Sequence, residues 1–366
     1  MTRTDQPLGD LELVATFDPP MPTGVTVSQT GRIFLNHPKW GDDVPATVVE
    51  LRDGERVPFP DEGWNQPDAD DDRHAFVSVQ SVVVDPLDRL WVLDTGSPLF
   101  KPTRHGGPKL VRVDLDSNAV GQVITFPTDV ALPSTYLNDV RFDLRRGDEG
   151  IAFITDSAEA HGSNGIIVVD LATGESWRRL HDHPSTRAVP PRESRPVVEG
   201  RHFLKRPADG EPTAVTMGSD GIAISPEGLR LYYCPLMSRR LYSVSVDALC
   251  DRSLDDDRVA ETVVDHGDRG SGGDGLESDE LGRVYCTAYE QNAIFRLHPD
   301  GVFDTLVHDP RLLWPDTMSV ATDGHLYVTA NQLHRQPDYN GGKDLRQPPY
   351  ALFRIPIDAG PVLLRP

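Results

Sequence analysis

The segment GGDGLESDELGRVYCTAYEQNAIFRLHPDG, residues 272–301, contains the pattern that decides the fold. Asp274 follows a run of glycines and precedes two short runs in which apolar and polar residues alternate, and a second turn ends the segment. Alternation of this kind between turn residues is typical of β-strands. A carboxylate at the start of a strand is costly in a packed sheet unless it has a partner, so its meaning depends on whether the pattern recurs.

The same unit occurs six times along the chain. Each copy has a polar residue, a small residue, a short strand, a turn with Gly or Asp, and a second strand rich in Val, Ile, Leu and Tyr. The six polar residues are Thr23, Gln80, Asn138, Asp220, Asp274 and Asp316. A propeller blade of four strands takes about 40–50 residues, and the copies follow this spacing with insertions. The sequence therefore predicts an all-β fold, a six-bladed β-propeller that forms a single domain over residues 1–366.

The two ends of the chain are expected to close the ring. The run LELVATF, residues 11–17, is predicted to pair with YALFRIPI, residues 350–357, because such closure protects sheet edges. The longest departure from the repeat is an insertion at about residues 178–219, rich in arginine and proline. Loops this long are usually functional or disordered. We expect it to lie over one mouth of the ring; the alternative is a solvated connection on the outside.

The composition excludes several classes of function. The chain has 57 Asp and Glu against 36 Lys and Arg, a formal net charge of −21. This charge disfavours nucleic-acid and anionic-membrane partners and suits a neutral or cationic small molecule, or a bound metal. The N-terminus has no apolar leader segment, and no apolar run approaches the ~20 residues of a spanning helix, so a cytoplasmic location is expected. The three cysteines are expected to be free thiols. The sequence gives no indication of oligomeric state.

Equivalent positions in a propeller place the six polar residues at one end of the central channel. Carboxylate and amide oxygens suit a hard cation such as Ca²⁺ or Mg²⁺, and crowded aspartates repel one another unless a cation compensates them. We therefore predict a divalent-cation site whose ligands are Asn138, Asp220, Asp274 and Asp316. The alternative is that these side chains bind backbone amides at the strand starts, as in Asx-turns.

A second polar group follows the later blades, in TAYEQN (residues 287–292) and TANQLHRQ (residues 329–336). A carboxylate, an amide, an imidazole and a guanidinium at one mouth are typical of a small-molecule site. The predicted ligand-binding residues are Gln80, Tyr289, Glu290, Asn331, His334 and Arg335. Each of them has a structural alternative, and His334 and Arg335 could simply anchor the loop that follows.

The segments DRLWVLDTG, STYLNDVRFD, DGIAISPEG and YVTANQLHR resemble the Yellow and major royal jelly protein family, over nearly the whole chain. The chain looks like a bacterial-type member. The resemblance implies a six-bladed propeller and roles that range from dopachrome conversion to the binding of biogenic amines in the channel. The positions that match amine-binding members are Asp316 and Asn331. Leu333 stands where those members have an aromatic residue, which speaks against amine stacking.

A more distant similarity is to the gluconolactonase and regucalcin group, which is six-bladed and metal-dependent. Its ligand motifs at strand starts are matched by Asn138 in LNDV, Asp220 in DGIAISPEG and Asp274 in GDGLESD. The glutamate that this group has on the first blade has no counterpart, since Thr23 and Gly24 occupy that stretch. Asp316 is a possible replacement by position.

Two functions of different class follow from these residues. The first is an enzyme that acts on a small cyclic metabolite by metal-assisted lactone hydrolysis or tautomerisation, with Asp274 as the catalytic residue that moves a proton or activates water. The second is a non-catalytic binding protein that holds a small polar or cationic ligand in the channel. Inward aspartates are costly to keep without a charged partner, and this favours the enzyme with its cation.

Overall fold

Six antiparallel sheets of four strands form a closed ring. The computed structural model describes residues 6–66, 73–159, 164–189 and 195–366. Within these ranges the innermost strand of each sheet contacts the innermost strand of the next, and the sixth contacts the first. The predicted all-β, six-bladed propeller is therefore confirmed.

The strands of blades 1 to 5 run from the channel outward in chain order, and blade 6 departs from it in its outermost strand. Blades 1 and 2 comprise Val25–Val27, Ile33–Asn36, Val48–Arg52, Glu55–Pro58 and Val79–Val84, Arg89–Asp94, Lys109–Asp114, Ala119–Thr125. Blades 3 and 4 comprise Leu137–Asp143, Ile151–Asp156, Gly165–Asp170, Ser176–Arg179 and Ser219–Ile224, Arg230–Pro235, Arg240–Ser245, Val264–Asp268. Blades 5 and 6 comprise Leu276–Ser278, Val284–Ala288, Ala293–Leu297, Phe303–His308 and Pro315–Val320, His325–Ala330, Tyr350–Pro356, Glu12–Phe17.

The outermost strand of blade 6 comes from the other end of the chain. Glu12–Phe17 pairs antiparallel with Tyr350–Pro356, and Phe17 lies opposite Tyr350. This is the pairing that the sequence predicted. It joins the first and last segments of the propeller and covers an edge that would otherwise present unpaired N–H and C=O groups.

Each contact between neighbouring blades has a hydrophobic core of its own. The described residues form six such clusters, one for each pair of neighbours around the ring. Between blades 2 and 3, for example, the rings of Trp91 and Phe142 stack with centroids 5.3 Å apart. Because both faces of a blade are buried, the strands read as nearly continuous Val, Ile and Leu runs, as in GIIVVD of blade 3.

The glycine that follows the first polar residue in blades 4 and 5 lets the inner strands approach closely. A Cβ on Gly221 would lie 2.4 Å from the carbonyl oxygen of Asp274, and one on Gly275 would lie 2.3 Å from that of Asp316. No side chain fits at these distances. The polar-then-small pattern in the sequence thus reflects backbone contact around the channel.

The insertion connects the outer strand of blade 3 with the inner strand of blade 4, from residue 180 to residue 218. Its described part contains two short hairpins, Val197–Val198 with Arg201–His202 and Leu204–Lys205 with Thr213–Ala214. Its apolar side chains form a further core with loops of blades 4 to 6; the members include Val198, Phe203, Val215, Met217, Leu236, Tyr289, Trp314, Leu333 and Tyr339. We call residues 195–218 the cap.

Helical structure is short. Two helices, Val246–Cys250 and Asp256–Ala260, lie between the outer strands of blade 4, and 3-10 turns occupy Pro98–Phe100, Leu333–Arg335 and Pro337–Tyr339. Among the described residues no helix has the length and apolar character needed to cross a membrane. All three cysteines are free thiols; Cys234 and Cys286 are buried and Cys250 is half-buried.

Deletion of residues 1–17 tests the closure. The deletion leaves the strand Tyr350–Pro356 unpaired on one edge, so we expect a Tm lower by roughly 5–10 °C and association through the exposed edge. Thermal unfolding and size-exclusion chromatography measure both effects. Deletion of residues 1–5, which removes no part of the strand, is the control. Equal Tm values for the two deletions would show that the pairing does not stabilise the ring.

Candidate functional site

Irregular pairing at the strand starts positions the polar residues at the channel mouth. In blades 2, 3, 4 and 6 the register between the first two strands shifts next to Gln80, Asn138, Asp220 and Asp316. A bulge of this kind re-aims a side chain and is common beside functional sites. In blade 5, Asp274 precedes the strand, and the Thr287 hydroxyl accepts hydrogen bonds from the N–H groups of Asp274 and Gly275 at 2.9 and 3.0 Å.

Five of the six predicted channel residues line one cavity of about 110 Å³. They are Gln80, Asn138, Asp220, Asp274 and Asp316. The rest of the lining, the rim, is mainly apolar and aromatic, with Trp40, Leu99, Phe100, Met217, Leu236, Leu333 and Tyr339, and it also includes the polar Gln336 and Asp338. The sixth residue, Thr23, is fully buried, and its hydroxyl accepts a hydrogen bond from the Asn36 amide at 2.8 Å.

An arginine closes the channel below this cavity. Arg141 of blade 3 reaches across to blade 5, where its guanidinium donates to the Leu276 carbonyl oxygen at 2.8 Å and lies 3.3 Å from the Glu277 carboxylate. It also donates to Asp139 of its own strand at 2.9 Å. Arg141 thus bridges the inner strands of blades 3 and 5; it lines a separate cavity and not the aspartate cavity.

Burial raises the pKa of all three cavity aspartates. The pKa values of Asp220 and Asp316 lie well above the ordinary value, and repulsion from Asp274 adds to the effect of burial at both. Burial raises the pKa of Asp274 to about 6. The carboxyl groups of Asp220 and Asp274 also lie close enough for each to influence the pKa of the other. The cluster thus keeps protons unless a cation takes their place.

Two neighbours hold one oxygen each of Asp274 and Asp316. The Trp314 indole N–H donates to Asp274 Oδ2 at 2.7 Å, and the Asn331 amide donates to Asp316 Oδ2. Trp314 is itself fully buried and stacks on Tyr289, with ring centroids 4.2 Å apart and planes 6° from parallel. The sequence reasoning missed Trp314, because a tryptophan immediately before a strand carries no signal of a carboxylate partner on another blade.

The remaining oxygens are of the type that a hard cation takes. The Asn138 amide nitrogen donates to Ser157 Oγ at 2.9 Å, which leaves the amide oxygen for a ligand. In the ranges that the structure describes, no three His, Cys, Asp or Glu side chains are grouped as a metal cluster. A cation at this mouth would therefore need the Asn138 amide oxygen beside the carboxylates. The donor types fit Ca²⁺ or Mg²⁺, and the cation site stays a prediction.

The other predicted ligand-binding residues make contacts within the protein. The Tyr289 hydroxyl donates to the Leu236 carbonyl oxygen at 2.7 Å, and Glu290 pairs with Arg239 and accepts from the Val197 N–H of the cap at 2.9 Å. His334 Nε2 lies 2.8 Å from Glu199 of the cap, and Arg335 also pairs with Glu199.

These contacts place Glu290, His334 and Arg335 at the attachment of the cap, and Asn331 behind Asp316. Of the six residues predicted to bind a ligand, Gln80 is the one among the residues lining the aspartate cavity. A binding role for the other five stays a prediction. The backbone carbonyls of His334 and Arg335 do accept hydrogen bonds from the loop that follows, from the Asn340 amide and the Leu345 N–H, both at 2.9 Å; the contact of their side chains with the cap is an addition that the sequence does not predict.

An aromatic group at the rim was also missed by sequence reasoning. Phe100 stacks on Tyr136 and Trp40, with ring centroids 4.7 and 5.5 Å apart. The Trp40 indole donates to the Tyr136 hydroxyl at 2.7 Å, and that hydroxyl donates to Gln80 Oε1 at 3.0 Å. Burial raises the pKa of Tyr136 well above its ordinary value, so the phenol stays a donor. Three loops from different blades supply these rings, so no local sequence motif predicts the group.

Comparison with known proteins adds a family assignment by sequence. The family model described as major royal jelly protein matches residues 77–346, well over half of the chain. Protein yellow from Drosophila erecta and protein yellow from Drosophila melanogaster are each 25% identical over 331 residues, a match that covers 82% of this chain and 57% of the relative. The chain thus spans little more than half the length of the curated relatives it matches.

Solved structures with the same fold belong to proteins of low sequence identity. A regucalcin from Agrobacterium tumefaciens, described as a calcium-binding protein, has a TM-score of 0.57 and 14% identity over 95% of both chains. A luciferin-regenerating enzyme has a TM-score of 0.59 and 12% identity, over 99% of this chain and 100% of that one. A gluconolactonase from Xanthomonas campestris has a TM-score of 0.53 and 13% identity, over 94% and 88%. At these identities the likeness establishes the fold alone.

Substitution of Trp314 by Phe tests how Asp274 is held. The change removes the indole N–H that stabilises the Asp274 carboxylate and keeps an aromatic ring against Tyr289. A hydrogen bond to a charged group contributes about 1.5–3 kcal/mol, so the pKa of Asp274 should rise above about 6 by roughly one to two units. Carboxyl ¹³C NMR titration in the presence of chelator measures it. Tyr289→Phe, which keeps the indole, is the control, and an unchanged pKa in Trp314→Phe would contradict the assignment.

Glu199 makes the attachment of the cap dependent on pH. Its hydrogen bond with Arg335 is the largest influence and lowers the pKa of Glu199 to about 2. A carboxylate whose pKa is lowered by folding stabilises the folded state at pH values above its pKa in the unfolded chain, near 4.5. This stabilisation is lost as the pH falls towards 2. We expect Glu199→Gln to speed proteolysis of the cap severalfold at neutral pH and to weaken its acid dependence. Glu211→Gln, an exposed residue of the cap, is the control; equal cleavage rates would exclude Glu199 as the anchor.

Proposed function

The chain belongs to the major royal jelly protein family, and we propose that it acts within this family as an enzyme on a small cyclic metabolite, by metal-assisted hydrolysis of a lactone. The observation that carries the proposal is the convergence of Asp220, Asp274 and Asp316, from three blades, on one cavity with Asn138. A calcium-binding regucalcin and a gluconolactonase share the fold, and this supports the choice of cation and reaction. Tautomerisation of a cyclic metabolite needs the same groups.

We assign proton transfer to Asp274. Its Oδ2 is fixed by the Trp314 indole, so the carboxyl group keeps one orientation during a reaction. In lactone hydrolysis Asp274 takes a proton from water while the water oxygen bonds to the carbonyl carbon. The same carboxyl returns this proton to the ring oxygen when the C–O bond breaks. One lactone and one water give one hydroxy acid, and Asp274 is regenerated.

The other cavity residues bind and orient the substrate. The Tyr136 hydroxyl occupies Gln80 Oε1, so the Gln80 amide nitrogen is left to donate to a substrate carbonyl or hydroxyl group. Of the four predicted ligands, Asn138, Asp220 and Asp316 would hold the divalent cation, since Asp274 is assigned to proton transfer. When bound, it supplies Lewis-acid polarisation of the carbonyl oxygen. Its ligands must be ionised, so binding releases the protons that the buried carboxyl groups keep.

A non-catalytic binding protein for a small polar or cationic ligand is the second candidate. The aromatic rim favours it, because Trp40, Phe100 and Tyr339 line the cavity that holds the carboxyl groups, and aromatic faces attract cations. In this case the ligand binds with defined stoichiometry and is recovered unchanged.

The test combines metal binding with turnover. Metal content is measured first, and thermal unfolding is then followed with Ca²⁺, Mg²⁺, Mn²⁺, Zn²⁺ and chelator. Hydrolysis of γ- and δ-lactones, D-glucono-1,5-lactone among them, is assayed for the protein and for Asp274→Asn. General acid–base catalysis contributes about 10²–10⁴-fold, so kcat should fall at least ~100-fold in Asp274→Asn. The matched control is Asp338→Asn, an exposed carboxylate lining the same cavity, which should change kcat by less than about threefold.

The outcomes separate the two candidates. Divalent stabilisation that Asp220→Asn removes and Asp274→Asn keeps, together with loss of turnover in Asp274→Asn, supports the enzyme. Stoichiometric binding of a small ligand without turnover supports the binding protein. A protein that shows neither a divalent shift nor lactone turnover would exclude the metal-assisted reaction.

A further inference from the structure

A second and larger cavity adjoins the aspartate cavity at the capped mouth. It has a volume of about 330 Å³, and its walls come from the segments 97–102, 133–136 and 158–159. By area most of the wall is apolar, with Pro102, Pro133 and Ala158 among its members; Ser97, Lys101, Ser134 and Thr135 also line it. The Glu159 carboxylate at its wall is already paired with Lys205 of the cap. The apolar part of the wall, which is the larger part by area, therefore suits an uncharged, apolar group.

Phe100 is the partition between the two cavities, since it lines both. The Phe100 ring stacks on Trp40, which lines the aspartate cavity, and on Tyr136, which lines the second cavity. The Tyr136 hydroxyl is hydrogen-bonded to Gln80 of the aspartate cavity. The stacked rings of Phe100 and Tyr136 therefore lie between the two cavities.

The backbone under this partition is strained. Leu99 and Phe100 have φ values of 55° and 54°, in the left-handed region that residues with a Cβ rarely adopt. Their side chains are nevertheless 52% and 40% exposed, so burial does not explain the conformation. Hydrogen bonds from the Leu99 N–H to the Lys39 carbonyl oxygen at 2.9 Å and from Ser97 Oγ to the Lys101 carbonyl oxygen at 2.6 Å hold the turn. Strain of this kind, held by its surroundings, clusters at ligand clamps.

The small size of the aspartate cavity also indicates that a ligand extends beyond it. Sites for organic ligands usually enclose about 300–1,000 Å³, and the aspartate cavity alone has about 110 Å³. It holds a small ring and little else. A substrate with a substituent on that ring needs further space, and the second cavity lies directly beyond Phe100.

We propose that the site takes amphipathic substrates, in which a small polar ring lies over the aspartates and an aliphatic substituent passes Phe100 into the second cavity. The role of the ring rests on the proposed function. The binding of the aliphatic part rests on the second cavity, the partition and the strained turn, and it is testable by itself.

The first experiment uses 1-alkanols, from 1-butanol to 1-octanol, as probes of the second cavity. Binding to the ¹⁵N-labelled protein is followed by NMR at the Trp40 indole signal, assigned with Trp40→Phe. We expect the Kd to fall about fourfold for each added methylene, the factor that corresponds to about 0.8 kcal/mol per buried CH₂. Ser134→Trp, at an exposed residue lining the second cavity, should remove this dependence. Leu281→Trp, on an exposed turn of blade 5, is the matched control and should keep it.

An affinity that does not rise with chain length, or that rises equally in Ser134→Trp, overturns the inference. A second variant, Phe100→Ala, guards against a purely local effect of the tryptophan. It removes the partition and with it part of the wall of the second cavity, so the affinity can fall overall but should still rise with each added methylene; loss of that rise would also count against the inference.

The second experiment measures kcat/KM for γ-lactones from γ-butyrolactone to γ-nonalactone. A rise with the length of the alkyl substituent, lost in Ser134→Trp and kept in Leu281→Trp, joins the two cavities in one substrate site. If no lactone is hydrolysed while alkanols bind as expected, the proposed function fails and the apolar subsite stands. If lactones are hydrolysed without any dependence on chain length, the subsite fails and the proposed function stands.

Discussion

The close approach of the inner strands around the channel is the constraint on which the rest of the structure depends. At Gly221 and Gly275 the backbone of one blade lies against the backbone of the next, with no room for a side chain. This packing brings the strand starts of blades 4, 5 and 6 together. It forces Asp220, Asp274 and Asp316 into one small space, and closure by the strand Glu12–Phe17 keeps the ring from relaxing the crowding.

The crowding has chemical consequences. Buried carboxyl groups that share a space cannot all be ionised, so burial and repulsion raise the pKa of Asp220 and Asp316. Two hydrogen-bond donors stabilise the buried carboxyl groups, the Trp314 indole at Asp274 and the Asn331 amide at Asp316. A site of this kind is adapted to exchange protons or to bind a cation in their place. It is reached through an aromatic rim, and the cap covers it.

The outcome for the second group of predicted residues shows where sequence reasoning ends. The sequence predicts that Glu290, His334 and Arg335 bind a ligand, because polar residues follow strands where a turn is expected. The structure engages them with the cap, through Val197 and Glu199, because the insertion folds back over blades 5 and 6. Contacts between residues more than ninety positions apart cannot be predicted from the spacing of residues within one segment. The rings at the rim, which come from separate loops, were missed for the same reason.

The sequence by itself determined the number of blades, the closure by the two ends of the chain, and the six positions at the strand starts. These features repeat with a period, and strand alternation, turn residues and the glycines after Asp220 and Asp274 are local consequences of backbone geometry. Only the tertiary structure decided which side chains touch. Five of the six strand-start residues line the cavity and Thr23 does not, Trp314 fixes the orientation of Asp274, and Phe100 divides two cavities. Such contacts depend on bulges, on a strained turn and on the path of an insertion, and these are settled by packing between blades.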